Sequence, residues 1–290
     1  PPDLNYDHNE ASSGDDITLL AIAQFWPPRT WGSLYERADY QADRLARLAR
    51  GDDHFYMIRT RSDLEAALAA REVNPDVVAG IMGMEGAHPF EGDLENVGRL
   101  YDAGHRLVGL QHFFDNELGG SLHGADCEGL TAFGADVVRE ADRRSIVIDI
   151  AHSCEQVAWD VLDLTARPVI VSHTGIRSKC DTARNVSDDL LAAVARKGGL
   201  IGIGFWDDAI CDATPDGIAS MIIHGVETFG VDAIALGSDF DGTVPTYIDV
   251  SQLAAITDAL MRAGMSDTDI RKVMGENQIR FFLEQLPQGS

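Results

Sequence analysis

Basic residues are scarce in this chain of 290 residues, in which 23 Lys and Arg stand against 47 Asp and Glu. The formal net charge at pH 7 is therefore −24, which repels phosphate backbones and anionic lipid headgroups. We accordingly expect neither nucleic acid nor a membrane surface as a partner. The acidic balance indicates solubility and identifies no substrate.

Long apolar runs are also missing, so the sequence predicts no transmembrane helix. The segment 1–9 is polar and shows no basic stretch followed by an apolar one, so no secretory signal is visible, although a trimmed form would hide it. On this basis a cytoplasmic location is favoured, and an exported form is the alternative.

Cysteine is sparse: the four cysteines form no Cys-x-x-Cys pair and no zinc-finger spacing. Cys154 lies two residues after His152, and we interpret it as a small buried side chain. Cys180 and Cys211 both follow predicted strand ends and could meet in a disulfide if the protein is exported. Four reduced thiols in the cytoplasm are the alternative.

No linker, repeat or low-complexity tract interrupts the chain, so we expect a single domain over residues 1–290. Helical patterns alternate with strand-like runs along its length. The predicted helices cover 35–49, 62–70, 93–103, 131–143, 154–164, 187–195, 217–228, 251–262 and 267–286.

Five short apolar runs end in a side chain that can bind a metal. They cover 81–85, 107–112, 146–152, 169–173 and 234–239, and they end in Glu85, His112, His152, His173 and Asp239. Near-continuous Val, Ile and Leu runs are typical of parallel strands buried on both faces.

Two more predicted strands, at 17–25 and 199–205, bring the number to seven. An eighth strand would have room only at 3–8. Because the carboxyl ends of barrel strands share one face, the sequence predicts an α/β fold, a TIM-type (β/α)8 barrel of the metal-dependent hydrolase type with a metal-centred site.

Imidazoles and carboxylates together suit Zn²⁺, and also Mn²⁺ or Co²⁺. A carboxylate such as Glu85 can bridge two ions and leave a water between them. Metal binding acidifies that water into a nucleophile and polarises a carbonyl. Asp239 is placed to take the proton and pass it to a leaving amine, which is the chemistry of amide hydrolysis.

Several motifs coincide with these strand ends in order and spacing. They are Gly83-Met84-Glu85-Gly86, Asp149-Ile150-Ala151-His152, Val171-Ser172-His173-Thr174, Ala183-Arg184-Asn185-Val186 and Gly237-Ser238-Asp239-Phe240-Asp241-Gly242. Together they resemble the membrane (renal) dipeptidases, the M19 peptidases of the amidohydrolase superfamily. The resemblance extends from about residue 17 to residue 282.

The resemblance implies a binuclear zinc dipeptidase that acts on small dipeptides, including L,D-dipeptides. In such an enzyme Glu85 would bridge the metals, and His152 and His173 would bind the second metal. His112 would polarise the substrate carbonyl. Asp239 would bind the first metal or shuttle the proton.

Arg184 would hold the free carboxylate of the dipeptide, for which its planar guanidinium is suited. Trp206, just past a strand end, either walls the pocket or packs at the barrel top. Asp115 and Glu117 either receive a substrate ammonium group or are solvated loop charges. We assign no role to the histidines away from strand ends, which are His54, His88, His105, His123 and His224.

The family opens with a His-x-Asp pair on the first strand, and this chain lacks that pair. Two imperfect registers compete for its place: His8 with Glu10, or Asn5 with Asp7. We favour His8 and Glu10, because Glu binds zinc through oxygen whereas Asn is a weak ligand. The first metal site is therefore altered or weakened.

Two other functions stay open at this point. One is an amidohydrolase that acts on another small amide or lactam. The other is a degenerate barrel with an altered first metal site and little activity. A homodimer is a further expectation.

Overall fold

The computed structural model describes residues 32–289, so the predicted strands at 3–8 and 17–25 lie outside the described residues. The chain forms two compact units. Of the described residues, the first unit holds 32–146, His152–Val157 and 286–289, and the second holds Val147–Ala151 and Ala158–Gln285. The single domain over residues 1–290 stays a prediction.

The first unit alternates helices and short parallel strands. Strand β1 pairs in parallel with β2, and β3 pairs in parallel with β4. The elements are α1 (Leu34–Gly51), β1 (Phe55–Ile58), α2 (Arg61–Val73), β2 (Val78–Ile81), β3 (Gly83–Met84), α3 (Leu94–Ala103), β4 (Leu107–Gly109) and α4 (Ala132–Arg144).

The sequence pattern does not predict β1. The inference that 3–8 offers the only room for a further strand is wrong, because Phe55–Ile58 forms one. This run contains two aromatic residues and a methionine, and only Ile58 is fully buried. It therefore lacks the continuous Val, Ile and Leu signature that marks the other strands.

The chain continues through a second series of alternating elements. These are β5 (Val147–Asp149), α5 (Glu155–Leu164), β6 (Ile170–Thr174), α6 (Asp188–Arg196), β7 (Leu200–Ile203), α7 (Asp207–Ile210), α8 (Pro215–Phe229), β8 (Ile234–Leu236), α9 (Ala254–Arg262), α10 (Asp267–Arg271) and α11 (Asn277–Gln285). In the second unit, β5, β6, β7 and β8 pair in this order, and every pairing is parallel.

The strands β5 and β7 are buried along their whole length, as expected for parallel strands covered on both faces. Six of the helices, α1, α2, α3, α4, α8 and α10, begin at a polar cap whose side chain accepts a hydrogen bond from one of the first backbone N–H groups. A capping box between Thr60 and Asp63, for example, starts α2. The predicted helix at 267–286 is not continuous, because a π-helical turn at Lys272–Glu276 separates α10 from α11. No helix in the described part of the chain is long and apolar enough to cross a membrane.

A buried histidine lies between α3 and β4. His105 is 5% exposed, and neither ring nitrogen has a hydrogen-bond partner within residues 32–289. The neighbouring Arg106 donates to the carbonyls of Arg59 and Tyr101, at 2.6 and 2.7 Å. Burial, with a smaller contribution from the Arg106 cation, lowers the pKa of His105 to about 4. His105 is therefore neutral at pH 7.

This pKa gives the stability of the protein an acid dependence. Above pH 6.5 the folded and unfolded chains both hold a neutral His105, and below that value only the unfolded chain gains the proton. Lowering the pH from 6.5 to about 4 should therefore cost about 3 kcal/mol of unfolding free energy. We expect His105→Leu to lose less stability than the parent between about pH 7 and about pH 4.5, as measured by urea unfolding. The exposed His54→Leu is the control, and equal losses in His105→Leu and the parent would contradict the assignment.

Candidate metal centre

Three of the predicted strand-end residues meet in the first unit. Glu85 follows β3, His112 lies three residues after β4, and His152 follows the β5 segment. One ligand atom from each of them lies within 4.8 Å of the others. The Nε2 of His152 is 3.2 Å from Oε1 of Glu85, and the Nε2 of His112 is 3.9 Å from Oε2 of Glu85.

These donors fit a zinc ion. A carboxylate oxygen and imidazole nitrogens are the ligand types of zinc sites, and two donors on one tetrahedral zinc lie about 3.4 Å apart. The two imidazoles are 10% and 7% exposed, whereas the Glu85 side chain is 43% exposed. Buried nitrogen donors therefore meet an accessible carboxylate, an arrangement that leaves room for water or substrate beside a bound ion.

The backbone of His152 has an unusual conformation, with φ at 62° in the left-handed region. Residues with a Cβ seldom adopt it, and the cost is of order 1–3 kcal/mol. Asp239 has a φ of 57° and likewise lies three residues beyond a strand. Such strain concentrates at functional sites, so it supports both residues as members of a site.

His123, to which the sequence pattern assigns no role, lies beside His152. Its Nε2 lies 3.2 Å from Nδ1 of His152, on the ring nitrogen that does not face Glu85. The glycines at 119, 120 and 124 mark the segment around it as a compact loop, but the pattern does not say where that loop returns. Only the folded chain brings this loop against His152.

The cysteines form two pairs. Cys154 is buried, as expected, and it forms a disulfide with Cys127, with Cα atoms 5.7 Å apart, a pairing that the sequence does not predict. Cys180 and Cys211 form the second disulfide, again with a Cα separation of 5.7 Å, as one of the two alternatives expected. Disulfides of this kind are typical of proteins in oxidising compartments.

In the second unit, Arg184 is held close to His173. His173 lies within β6, and its carbonyl accepts a hydrogen bond from Nη2 of Arg184 at 3.0 Å. The guanidinium carbon of Arg184 lies 5.3 Å from the ring centroid of Trp206. Trp206 is 5% exposed, so it packs beneath Arg184 and beside His173 and is not an open pocket wall.

Asn185 fixes the loop that carries Arg184. It is fully buried, its Nδ2 donates to the carbonyls of Cys180 and Ala209 at 2.7 and 2.8 Å, and its Oδ1 accepts from the N–H of Gly175 at 2.8 Å. Three backbone groups are thereby satisfied by one side chain. Within the matched Ala-Arg-Asn-Val motif, Asn185 thus has an architectural role beside the charged Arg184.

The two loop acids after His112 differ in their surroundings. The Asp115 carboxylate accepts backbone hydrogen bonds from Ser121 and Ala125, at 2.7 and 2.8 Å. Asp115 therefore fixes the backbone of the loop. This role is additional to the two expected from the sequence, a receptor for a substrate ammonium group or a solvated loop charge. Glu117 is exposed. The alternative first-strand pairs, His8 with Glu10 and Asn5 with Asp7, lie outside the described residues.

Comparison with known proteins identifies the family. The sequence model described as membrane dipeptidase (peptidase family M19) matches residues 7–287. The match covers nearly the whole chain, and the chain therefore belongs to this family. The resemblance read from the motifs is confirmed.

Solved structures agree. Dipeptidase AC, a metallo peptidase of family M19, is 27% identical with a TM-score of 0.77, over 86% of this chain and 77% of its own. A second similar structure is a metallo peptidase from Rhodobacter sphaeroides, liganded with a phosphinate mimic of the dipeptide L-Ala-D-Ala. It is 27% identical with a TM-score of 0.74, and the match covers 85% of this chain and 73% of the Rhodobacter chain. An amidohydrolase from Pseudomonas aeruginosa shares the fold. It is 24% identical with a TM-score of 0.75, and the match covers 88% of this chain and 86% of the amidohydrolase.

These findings confirm the predicted α/β fold of the TIM-barrel type. They also confirm the enzyme class, a metallo-dipeptidase hydrolase. The Glu85, His112 and His152 group gives the family's metal requirement a candidate location in this chain.

The architectural role of Asn185 can be tested by measuring how its replacement changes the stability of the protein. Replacing Asn185 with Leu leaves the Ala209 carbonyl and the Gly175 N–H without this partner, while the Cys180 carbonyl still accepts from the N–H of Thr182. Each unsatisfied buried group costs about 1–3 kcal/mol. We expect Asn185→Leu to lower the free energy of unfolding by several kcal/mol in urea titration. A loss no larger than that of an exposed substitution such as Gln252→Leu would contradict the role.

Proposed function

We propose that this member of the membrane dipeptidase family hydrolyses small dipeptides with the help of two zinc ions. The observation that carries the proposal is the meeting of Glu85, His112 and His152 within 4.8 Å in a chain whose family consists of metallo-dipeptidases. Zinc, when bound, supplies a Lewis acid and a water of lowered pKa.

Glu85 is the proposed bridge between the two ions. Its carboxylate has one oxygen toward His152 and the other toward His112, so its two oxygens have different neighbours. It is also the exposed member of the group, which suits a ligand next to bound water. For the other ligands the proposal rests on the family resemblance alone, which assigns His152 and His173 to the second ion and either His8 with Glu10 or Asn5 with Asp7 to the first.

His112 and Asp239 are assigned to the reacting groups. The imidazole of His112 is nearly buried and lies beside Glu85, so it can donate to an oxygen that gains negative charge during hydrolysis. Asp239 sits on a left-handed turn after β8, and its carboxylate would bind the first ion or move the proton from water to the leaving amine.

Arg184 is the proposed anchor of the substrate carboxylate. Its guanidinium is held by the His173 carbonyl and lies over Trp206, so it is oriented before the substrate arrives. A guanidinium fork pairs with a carboxylate through two parallel hydrogen bonds. The phosphinate mimic of L-Ala-D-Ala bound by the Rhodobacter sphaeroides metallo peptidase supports a dipeptide substrate, with a D-residue tolerated at the carboxyl side.

The metal assignment predicts a joint loss of zinc and activity. Replacing His152 with Ala removes a donor 3.2 Å from Glu85, and Glu85→Gln removes the anionic charge. We expect both variants to retain less zinc than the parent, by elemental analysis of purified protein, and to lose dipeptide hydrolysis in parallel. His224→Ala, at a residue with no assigned role, should keep the parent's zinc and rate. Full zinc content and turnover in His152→Ala would overturn the site.

The substrate anchor predicts a binding defect. Loss of a charge-assisted pair costs about 1.5–3 kcal/mol, so Arg184→Ala should raise KM for free dipeptides by about 10–100-fold. The exposed Arg196→Ala is the matched control and should leave KM unchanged. Dipeptides with an amidated carboxyl end should already be poor substrates of the parent enzyme. Equal rates on free and amidated dipeptides would favour an amidohydrolase that acts on other small amides.

A further inference from the structure

We infer that His123 positions His152 for metal binding, as a hydrogen-bond partner of that imidazole and not as a ligand. The inference rests on the proposed function, because it concerns the same metal centre. The Nδ1 of His152 lies 3.2 Å from Nε2 of His123, whereas its Nε2 lies 3.2 Å from Oε1 of Glu85. The two nitrogens of one ring therefore serve two different neighbours.

A zinc ion bound at Nε2 would select one tautomer of His152. A neutral imidazole has one N–H and one lone pair, and only the lone pair can bind a metal. Because Nε2 is the nitrogen that faces the carboxylate ligand Glu85, a bound zinc would take its lone pair and leave the proton on Nδ1. The Nδ1–H then donates to Nε2 of His123, which fixes the rotation of the His152 ring. Such outer partners typically contribute 10–100-fold to metal affinity.

His123 is itself held by a folded loop, here called the His123 loop (residues 115–127). The carboxylate of Asp115 accepts N–H groups from Ser121 and Ala125 on either side of His123. A Cβ at Gly124 would fall 1.7 Å from Oδ1 of Asp115, so only glycine allows the carboxylate to approach so closely. The loop thus has a defined shape around His123.

The His123 loop is also attached to the backbone around His152. The N–H of Leu122 donates to the His152 carbonyl at 2.7 Å, and the N–H of Cys154 donates to the Gly120 carbonyl at 3.1 Å. The Cys127–Cys154 disulfide joins the end of the loop to the same segment. Loop and ligand are therefore fixed to each other on both sides of the imidazole contact, as a positioning role requires.

A ligand role for His123 fits the structure less well. The group of candidate ligands that the described residues form contains Glu85, His112 and His152, and His123 is outside it. The ring of Phe113 packs against His123 with centroids 5.1 Å apart, and against His152 at 5.9 Å. The aromatic contact supports the orientation of both imidazoles without adding a donor.

The test compares two substitutions of His123 in the full chain. His123→Leu removes the acceptor, whereas His123→Gln keeps an amide oxygen that can accept from Nδ1–H of His152. The readouts are the zinc dissociation constant of the metal-free protein in chelator competition, the visible spectrum of the Co²⁺ form, and the thermal midpoint of the metal-free protein. His224→Leu, remote in sequence and without an assigned role, controls for loss of a histidine.

We expect His123→Leu to weaken zinc binding by about 10–100-fold and to alter the Co²⁺ spectrum, with the thermal midpoint near that of the parent. His123→Gln should recover most of the zinc affinity. Zinc affinity within twofold of the parent in His123→Leu would overturn the inference, and so would equally weak binding by both variants. Loss of one whole ion from His123→Leu would make His123 a ligand and would also overturn it.

The same series separates this inference from the proposed function. His152→Ala is measured first, and parent-like zinc affinity in that variant would defeat the metal centre itself. If His152→Ala loses zinc while His123→Leu does not, the centre stands and the positioning role fails.

Discussion

The backbone of His152 turns through the left-handed region, with φ at 62°, and this turn directs the imidazole toward Glu85. Such a conformation is costly and persists only where the surroundings fix it. Here the carbonyl of His152 accepts from Leu122, and Cys154 is bound through its N–H and its disulfide. The candidate metal centre of the first unit depends on this fixed turn, because the turn carries the imidazole that faces the Glu85 carboxylate at 3.2 Å.

The second unit holds the cationic side chain of Arg184 in a comparable way. Arg184, the proposed anchor of the substrate carboxylate, is almost buried, so this role requires a rigid loop. Asn185 provides that rigidity with three hydrogen bonds to the backbone, and Trp206 supports the guanidinium from below. The ring of Trp206 in turn lies against the position of Gly204, where a Cβ would fall 2.3 Å from it. In both units, hydrogen bonds to the surrounding backbone hold in place a residue that is proposed to bind metal or substrate.

The sequence predicts the fold class and the candidate ligands at strand ends, of which Glu85, His112 and His152 come together. Buried parallel strands leave a strong Val, Ile and Leu pattern, and a polar residue at their end stands out. The sequence does not predict β1, whose aromatic and methionine residues carry no such pattern. It also misses His123 and the Cys127–Cys154 pair, because both depend on where a loop returns in space. The path of the loop is set by contacts such as the hydrogen bond from the N–H of Ser121 to Asp115. The spacing of residues along the chain does not reveal such contacts.

Anomalous X-ray diffraction at the zinc edge, from crystals of the protein as purified, tests the central claim most directly. The account predicts an anomalous peak bound by Glu85 and His152, at about 2.0–2.2 Å from an oxygen of the first and a nitrogen of the second. His112 should lie beside the same peak, and His123 should face the far nitrogen of His152. A fully ordered site without a peak, or a zinc peak bound elsewhere, would contradict the metal centre.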